Sequence, residues 1–400
     1  MRHVLLALIL VPLLASPTLA QEVKLVPSGE YLARFRHTEG LDYAPGNVKN
    51  FVRHRARLGL RFTYGEELAA FVQLQDVRTW GEETDTLNDY SANGLDLHQG
   101  WLEIGLCDDI KLRIGRQEIG YLNHRLIGNV GFFEQARSFD GVRFMAVVLD
   151  ERLVLDAFYA RVRDQLPPES QTADDLFAWT ARYDLGVFQP ALIGVLDLNS
   201  ATDRVRYTQG LMLQADFAFG LKLSFEGYLQ AGGATIEDAD VSYLAWMTAT
   251  RARFTLVDSD VAPFLEIFVE TLSGDDDPTD GDEKTFDTLF ATNHRFYGEA
   301  DVFLNIPAHT GKRGLLDVGA SFGMKLGEKA TAQIAFHHFA AMDARDGDSD
   351  FGQEVDVTFG WKPNPYLNLD LNYSLIVPGA LLAADGDVEH FIYTTAQTLF

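Results

Sequence analysis

The stretch Phe51-Val52-Arg53-His54-Arg55-Ala56-Arg57-Leu58-Gly59-Leu60-Arg61-Phe62-Thr63 decides the fold. Val52, Ala56, Leu58, Leu60 and Phe62 share one parity, and Arg53, Arg55, Arg57 and Arg61 share the other. A β-strand sends successive side chains to opposite faces, so this segment has one oily face and one strongly basic face. In a soluble sandwich the oily face is core. In an outer-membrane barrel it faces lipid, and the charged face lines a watery lumen.

The connections between such segments choose between these readings. Period-two alternation with aromatic and β-branched enrichment marks strands at 28–38, 51–63, 68–79, 96–106, 110–117, 139–149, 152–164, 174–185 and 189–199. It continues at 207–217, 221–231, 241–254, 261–272, 315–325, 329–339, 351–362, 366–376 and 390–400, which makes eighteen. The intervals alternate long and short: 39–50 then 64–67, 80–95 then 107–109, 118–138 then 150–151. Short turns at one end, longer loops at the other and an even strand count are the outer-membrane pattern, with both termini periplasmic. A sandwich gives no reason for that beat. The fold class is therefore all-β, a transmembrane antiparallel up-and-down β-barrel. Sixteen strands is the alternative count, and Phe296 to Leu304 is a candidate extra strand within the 273–314 connection. Either number leaves an aqueous lumen.

Both chain ends agree with export. Arg2 and His3, the apolar run Val4 to Leu14 and the small-residue site Thr18-Leu19-Ala20 read as a signal peptide, with the mature chain starting at Gln21. No later run of about 18 apolar residues exists to form a membrane helix. The terminal aromatic Phe400 resembles the assembly signal of bacterial barrels, so the barrel assembly machinery is an expected partner, with outer-membrane lipid and lipopolysaccharide. Tyr31, Tyr64, Trp80, Trp101, Trp179, Tyr183, Trp246, Trp361 and Tyr366 sit within or near strand ends, where interfacial girdles lie.

The formal charge of -25 argues against a nucleic-acid partner, since phosphate binding needs clustered Lys and Arg. The acidic run from Ser273 to Thr285 reads as a solvated loop; Pro278 falls where a calcium loop needs a ligand. No metal or cofactor is expected. The single cysteine, Cys107, lies beside Asp108 and Asp109, which disfavour a thiolate.

Alternation assigns to the lumen Arg34, Arg36, Arg53, Arg55, Arg57, Arg61, Lys111, Arg113, Arg143, Arg182, Arg251 and Arg253, and the acids Glu226, Glu266, Glu270, Asp317, Glu354 and Asp356. Two readings compete. The bases pair with acids and stiffen the wall, each partly solvated pair contributing about 0–1 kcal/mol. Alternatively they form a cationic track for a polyanion, Arg being suited by its two-point grip on carboxylates. Arg53, Arg55 and Arg57 have no acid on their own strand, which favours the track.

Arg57-Leu58-Gly59-Leu60, Gly115-Arg116-Gln117-Glu118, Arg125-Leu126-Ile127-Gly128 and Arg137-Ser138-Phe139-Asp140-Gly141-Val142-Arg143 resemble signature blocks of the alginate export family of outer-membrane barrels. Ser273-Gly274-Asp275, Thr285-Phe286-Asp287, Asn293-His294, Tyr297-Gly298-Glu299-Ala300-Asp301 and Glu354-Val355-Asp356 ahead of Pro378-Gly379 extend the resemblance over nearly the whole mature chain. It implies an eighteen-stranded barrel passing an anionic polysaccharide through an Arg-lined constriction. The implied pore contacts are Arg57, Arg116, Arg125, Arg137 and Arg143, with Glu118, Asp140 and Asp356 as structural or selectivity partners. One departure stands out: the family tends to show Tyr-Gly-Asp-x-Arg where this chain has Tyr121-Leu122-Asn123-His124-Arg125. Arg116 also falls on the oily parity, so either a bulge shifts the phase or the side chain snorkels to an interface. Any gate is expected from the 273–314 connection folding inward.

A small-anion or oligosaccharide uptake porin fits the same barrel. An outer-membrane lipid hydrolase would need a Ser with a positioned base; His98, His337, His338, Ser321 and Ser374 form no recognisable motif, so no enzyme is expected. A soluble sandwich adhesin would stay in solution without detergent.

Overall fold

A computed structural model describes residues 22–39, 48–82, 95–164, 173–257, 259–382 and 387–400. The expected signal peptide lies outside them. The strands are β1 Val23–Glu39, β2 Val48–Tyr64, β3 Leu68–Thr79, β4 Asp96–Cys107, β5 Ile110–Gln117, β6 Phe139–Val148 and β7 Leu153–Asp164. Next come β8 Ala173–Tyr183, β9 Phe188–Asn199, β10 Arg204–Asp216, β11 Leu221–Ile236, β12 Ala239–Thr255, β13 Phe264–Leu272 and the two-residue β14 Asp282–Glu283. The chain ends with β15 Leu315–Leu326, β16 Ala330–Ala340, β17 Asp350–Asn364, β18 Leu367–Pro378 and β19 Glu389–Leu399. β14 lies parallel against β12. The other eighteen form one closed wall, each antiparallel to the next, with β13 joined directly to β15 and β1 closing on β19 through Glu30↔Leu399 to Glu39↔His390. A single closed sheet rules out the sandwich. It also gives the count as eighteen, because 296–304 is no strand: the short 3-10 turn Asn293–Arg295 precedes it inside the lumen.

The wall has the polarity of a membrane barrel. On β2, Leu58 is 64% exposed and Leu60 points outward beside it, whereas Arg55 is 3% exposed and faces inward with Arg57. The same outward apolar row recurs at Leu102, Ile114, Phe177, Leu211, Phe225, Ile267, Phe322, Ile334, Val357 and Leu371. Buried charges, among them Glu103, Asp197, Glu270, Asp317 and Glu354, are on the inside. Trp101 is the exception among the expected girdle residues: it is buried, under the guanidinium of Arg113 at 3.9 Å.

Three boundaries depart from the alternation, each for a physical reason. β1 starts at Val23 despite Pro27, because residues 23–28 pair only with β2, so the missing N–H of proline faces no ladder. β11 runs on through Gly232 and Gly233 to Ile236, so β11 and β12 meet in the tight turn Glu237-Asp238. Those glycines end the sequence pattern but not the pairing; a Cβ on Gly232 would lie 2.0 Å from the carbonyl oxygen of Val205. The long-short beat also fails at Ser200–Asp203 and at 256–263, where the tight turn and the longer connection exchange ends.

Candidate pore constriction

Two connections leave the wall and fold into the lumen: 118–138, between β5 and β6, and 273–314, between β13 and β15. They pair with each other. Phe290 N–H donates to the Leu126 carbonyl at 2.9 Å, Gly128 N–H to the Phe290 carbonyl at 2.8 Å, and Thr292 N–H to the His124 carbonyl at 3.0 Å. Ile119, Leu126, Ile127, Phe286, Phe296 and Phe303 are buried between them and the inner-wall residues Phe139, Phe158, Leu176 and Ile193. The lumen is thus part water and part packed apolar septum. The inward course expected of 273–314 is present; that of 118–138 was not foreseen. Leu122, His124, Val130 and Ala136 all adopt left-handed backbone with φ of 52°, 71°, 51° and 55°. Such conformations persist only where the surroundings over-determine them, and they concentrate at functional sites.

Arginines supply that determination. Arg125, 1% exposed, donates to both carboxylate oxygens of Glu270 at 2.6 and 3.1 Å, stands 3.5 Å from Glu226, and lies against the Phe296 ring at 3.4 Å. Burial opposes its charge, yet the two carboxylates outweigh that and raise its pKa further. Asn123 donates to Glu226, occupying the position where the family's carboxylate is missing. Arg137 donates to the carbonyls of Gly128 and Phe290, joining the two segments, and burial pushes its pKa down to about 10. The Arg125 guanidinium does not face open lumen, so the expected pore contact there is corrected to a pin within the septum; Arg137, half-buried and with no ion pair among the described residues, ties the two segments together through one nitrogen.

The basic ladder is also engaged. Arg34 donates to the Phe132 carbonyl and pairs with Glu134 at 3.0 Å; Arg55 pairs with Glu30 and donates to the carbonyls of Phe133 and Glu134. Arg57 donates to Gln75 at 2.6 Å and pairs with Glu118 at 3.2 Å, while His98, thrust inward at a bulge opposite Gln73 and Leu74, bonds Glu118 at 2.6 Å. Burial would raise the pKa of Glu118, but His98, Asn129 and Arg57 prevail and hold it below the usual carboxylate range. Glu134 and Phe132 were invisible to the alternation because they sit in an irregular stretch. The available signal was the ladder itself, since several buried arginines with no acid on their strand require acids from elsewhere.

Arg113 pairs with Glu103, and Arg143 with Asp156 at 2.5 Å, both on the inner wall. Asp356 accepts from Ser374 and lies 4.0 Å from His337. Arg116 and Asp140 pair at 2.7 Å on the same parity as the exposed Ile114 and Val142, hence outside the barrel. No bulge shifts β5 against β6 there, so the expected pore roles of Arg116 and Asp140 are corrected to an outward pair. Among the described residues, Arg53, Arg61, Arg182 and Arg253 make no ion pair. Arg53 is half-buried with its guanidinium 4.7 Å from the Phe51 ring; Arg61, Arg182 and Arg253 are exposed toward the short-turn end.

Charge is therefore separated across the lumen. Arg34, Arg36, Arg53, Arg55, Arg57 and Arg61 outnumber Glu30, Glu118 and Glu134 on the β1–β2 side, while Glu266, Glu270, Asp317, Glu354 and Asp356 outnumber Arg251 and Arg253 on the β12–β17 side. An oily band outside, a charged lumen inside and loops that narrow it define a porin-type outer-membrane channel. The alginate export family model matches residues 28–392, and the chain belongs to that family. Solved structures with a similar fold include Pseudomonas aeruginosa OccD3 (OpdP), 14% identical with TM-score 0.62, covering 94% of this chain and 91% of that one. Acinetobacter baumannii OccAB1 is 11% identical with TM-score 0.63, covering 94% and 96%, and the outer membrane protein opdK of Pseudomonas aeruginosa is 11% identical with TM-score 0.59, covering 94% and 98%. No curated protein sequence matches the chain.

Proposed function

We propose that this barrel conducts an anionic, uronate-type polysaccharide or oligosaccharide passively across the outer membrane, with both termini in the periplasm and no catalytic step. One observation carries the choice of an anion: Arg53 on one side of the septum, bonded to the Thr79 hydroxyl, and Arg61, Arg182 and Arg253 on the other have no carboxylate partner among the described residues, which leaves guanidinium charge uncompensated at both approaches to the constriction. Family membership supports the polymer. A wall face carrying one sign of charge concentrates counter-ions of the other sign beside it, which for an anion is the basic β1–β2 side of this lumen.

A second reading, uptake of short oligosaccharides or small carboxylates, is favoured by the septum, because interlocked segments leave a narrow passage. Planar-bilayer recording separates the two. Added polyuronate should reduce the current while neutral dextran of equal length does so far less. Block by short uronates alone would favour the second reading, and indifference to uronates of every length would contradict both.

A further inference from the structure

Opposite the basic ladder, the inner wall carries a notch. Ser321 on β15 pairs with Ala335 on β16, and Ala335 with Asp356 on β17, so one small side chain sits between two polar ones on a single inward rung. Phe296 and Glu299 of the inward segment roof the resulting cavity, and Phe268 forms one flank. Ser321 is 3% exposed, lines this cavity, and its hydroxyl has no hydrogen-bond partner among the described residues. Asp356 spends one oxygen on Ser374 and turns the other toward Glu354 and His337. Arg251, which pairs with Glu266 at 3.3 Å, lines both this notch and a second cavity that reaches Lys222 and Arg253, so the notch opens toward the short-turn mouth.

We propose that this notch is a sugar-ring subsite, taking a hydroxyl-bearing pyranose whether or not that ring carries a carboxylate. The choice of a sugar as occupant rests on the polysaccharide-channel reading. The chemistry selects a ring with hydroxyls over a bare anion: Asp356, Glu266 and Glu299 accept hydrogen bonds, Ser321 and Arg251 donate, and the Phe268 and Phe296 rings offer apolar surface for C–H faces. An anion alone would meet three carboxylates against two guanidiniums, Arg251 and Arg295, of which Arg251 is already engaged by Glu266 and Glu270. A buried hydroxyl left without a partner costs free energy that a bound ligand hydroxyl recovers. The subsite thus complements the basic ladder across the passage, one side reading charge and the other reading hydroxyl pattern.

The test uses the full-length barrel in planar bilayers, with a uronate hexasaccharide and a neutral hexose hexasaccharide as probes. Ser321→Ala removes the unpartnered hydroxyl, and Ala335→Leu fills the notch; semi-native gel mobility shows that each barrel is folded. The subsite predicts that both probes interrupt the wild-type current and that both variants shorten both residence times by about three- to tenfold, the scale of one lost hydrogen bond. Arg61→Gln should shorten only the uronate's. If the uronate fails to block but the neutral probe blocks and responds to the two variants, the anionic-substrate reading falls and the subsite stands. A neutral probe that never interrupts the wild-type current, or whose residence time ignores both variants, overturns the subsite.

Discussion

Arg125 separates what a guanidinium does here from what its presence in a pore family suggests. Its charge is held between Glu270 and Glu226 with almost no solvent contact; removing it leaves Glu226 with no cationic partner among the described residues, only the hydrogen bonds from Asn123 and Tyr228, and Glu270 with Arg251 alone. Breaking a buried pair in this way costs about 3–5 kcal/mol. Arg125→Met should therefore lower the temperature at which the folded band disappears on semi-native gels and make single-channel current noisier; unchanged melting and noise would show that the septum does not depend on this pin. Glu118 gives a pH-dependent counterpart. Its carboxyl is depressed in the folded barrel, so its contribution is complete above the ordinary carboxylate pKa and is lost as pH falls from there through the lowered value. Acidification through that window should raise open-channel noise in the wild type, and the Glu118→Gln barrel should show a flat response. Inward or outward parity was legible for each of these strand arginines, Arg116 included. The partners of Arg34 and Arg55 were not, because Phe132, Phe133 and Glu134 lie where no periodicity constrains direction.

The elements that decide function are the two segments without regular structure. The wall strands could be read from alternation within a few residues, since lipid outside and water inside impose the same parity on every strand. The course of 118–138 could not, since its direction is set by long-range contacts with Phe290, Arg34 and Arg55 that leave no local pattern. Gly298 tests the coupling between segment and wall. Its φ is +81°, and a Cβ there would lie 2.5 Å from the Glu354 carboxyl. Gly298→Ala should loosen the 293–301 stretch at a cost on the order of 1–3 kcal/mol, raising single-channel conductance while leaving the heat-modifiable gel shift in place. Equal conductance in the variant would mean that this stretch does not narrow the passage.

Closure makes the whole molecule one cooperative sheet. The terminal residue takes part: Gly29 N–H donates to the Phe400 carbonyl at 2.7 Å, Phe400 N–H to the Gly29 carbonyl at 3.0 Å, and the Phe400 ring lies where a Cβ on Gly29 would go. Replacing Phe400 by Ala should lower the folded yield in the outer membrane, measured as the heat-modifiable fraction; normal yield would show that the Phe400 ring is not needed for closure. The polarity of the wall was readable from one strand, whereas the sorting of free from engaged arginines needed the closed barrel. The most direct test of an anion path within that wall is the reversal potential of the purified barrel under a potassium chloride gradient, with Arg61→Glu and Arg253→Glu combined as the comparison. The wild type should reverse toward the chloride potential and the double variant toward zero or the potassium potential; a cation-selective wild type, or a variant that reverses where the wild type does, would contradict the account.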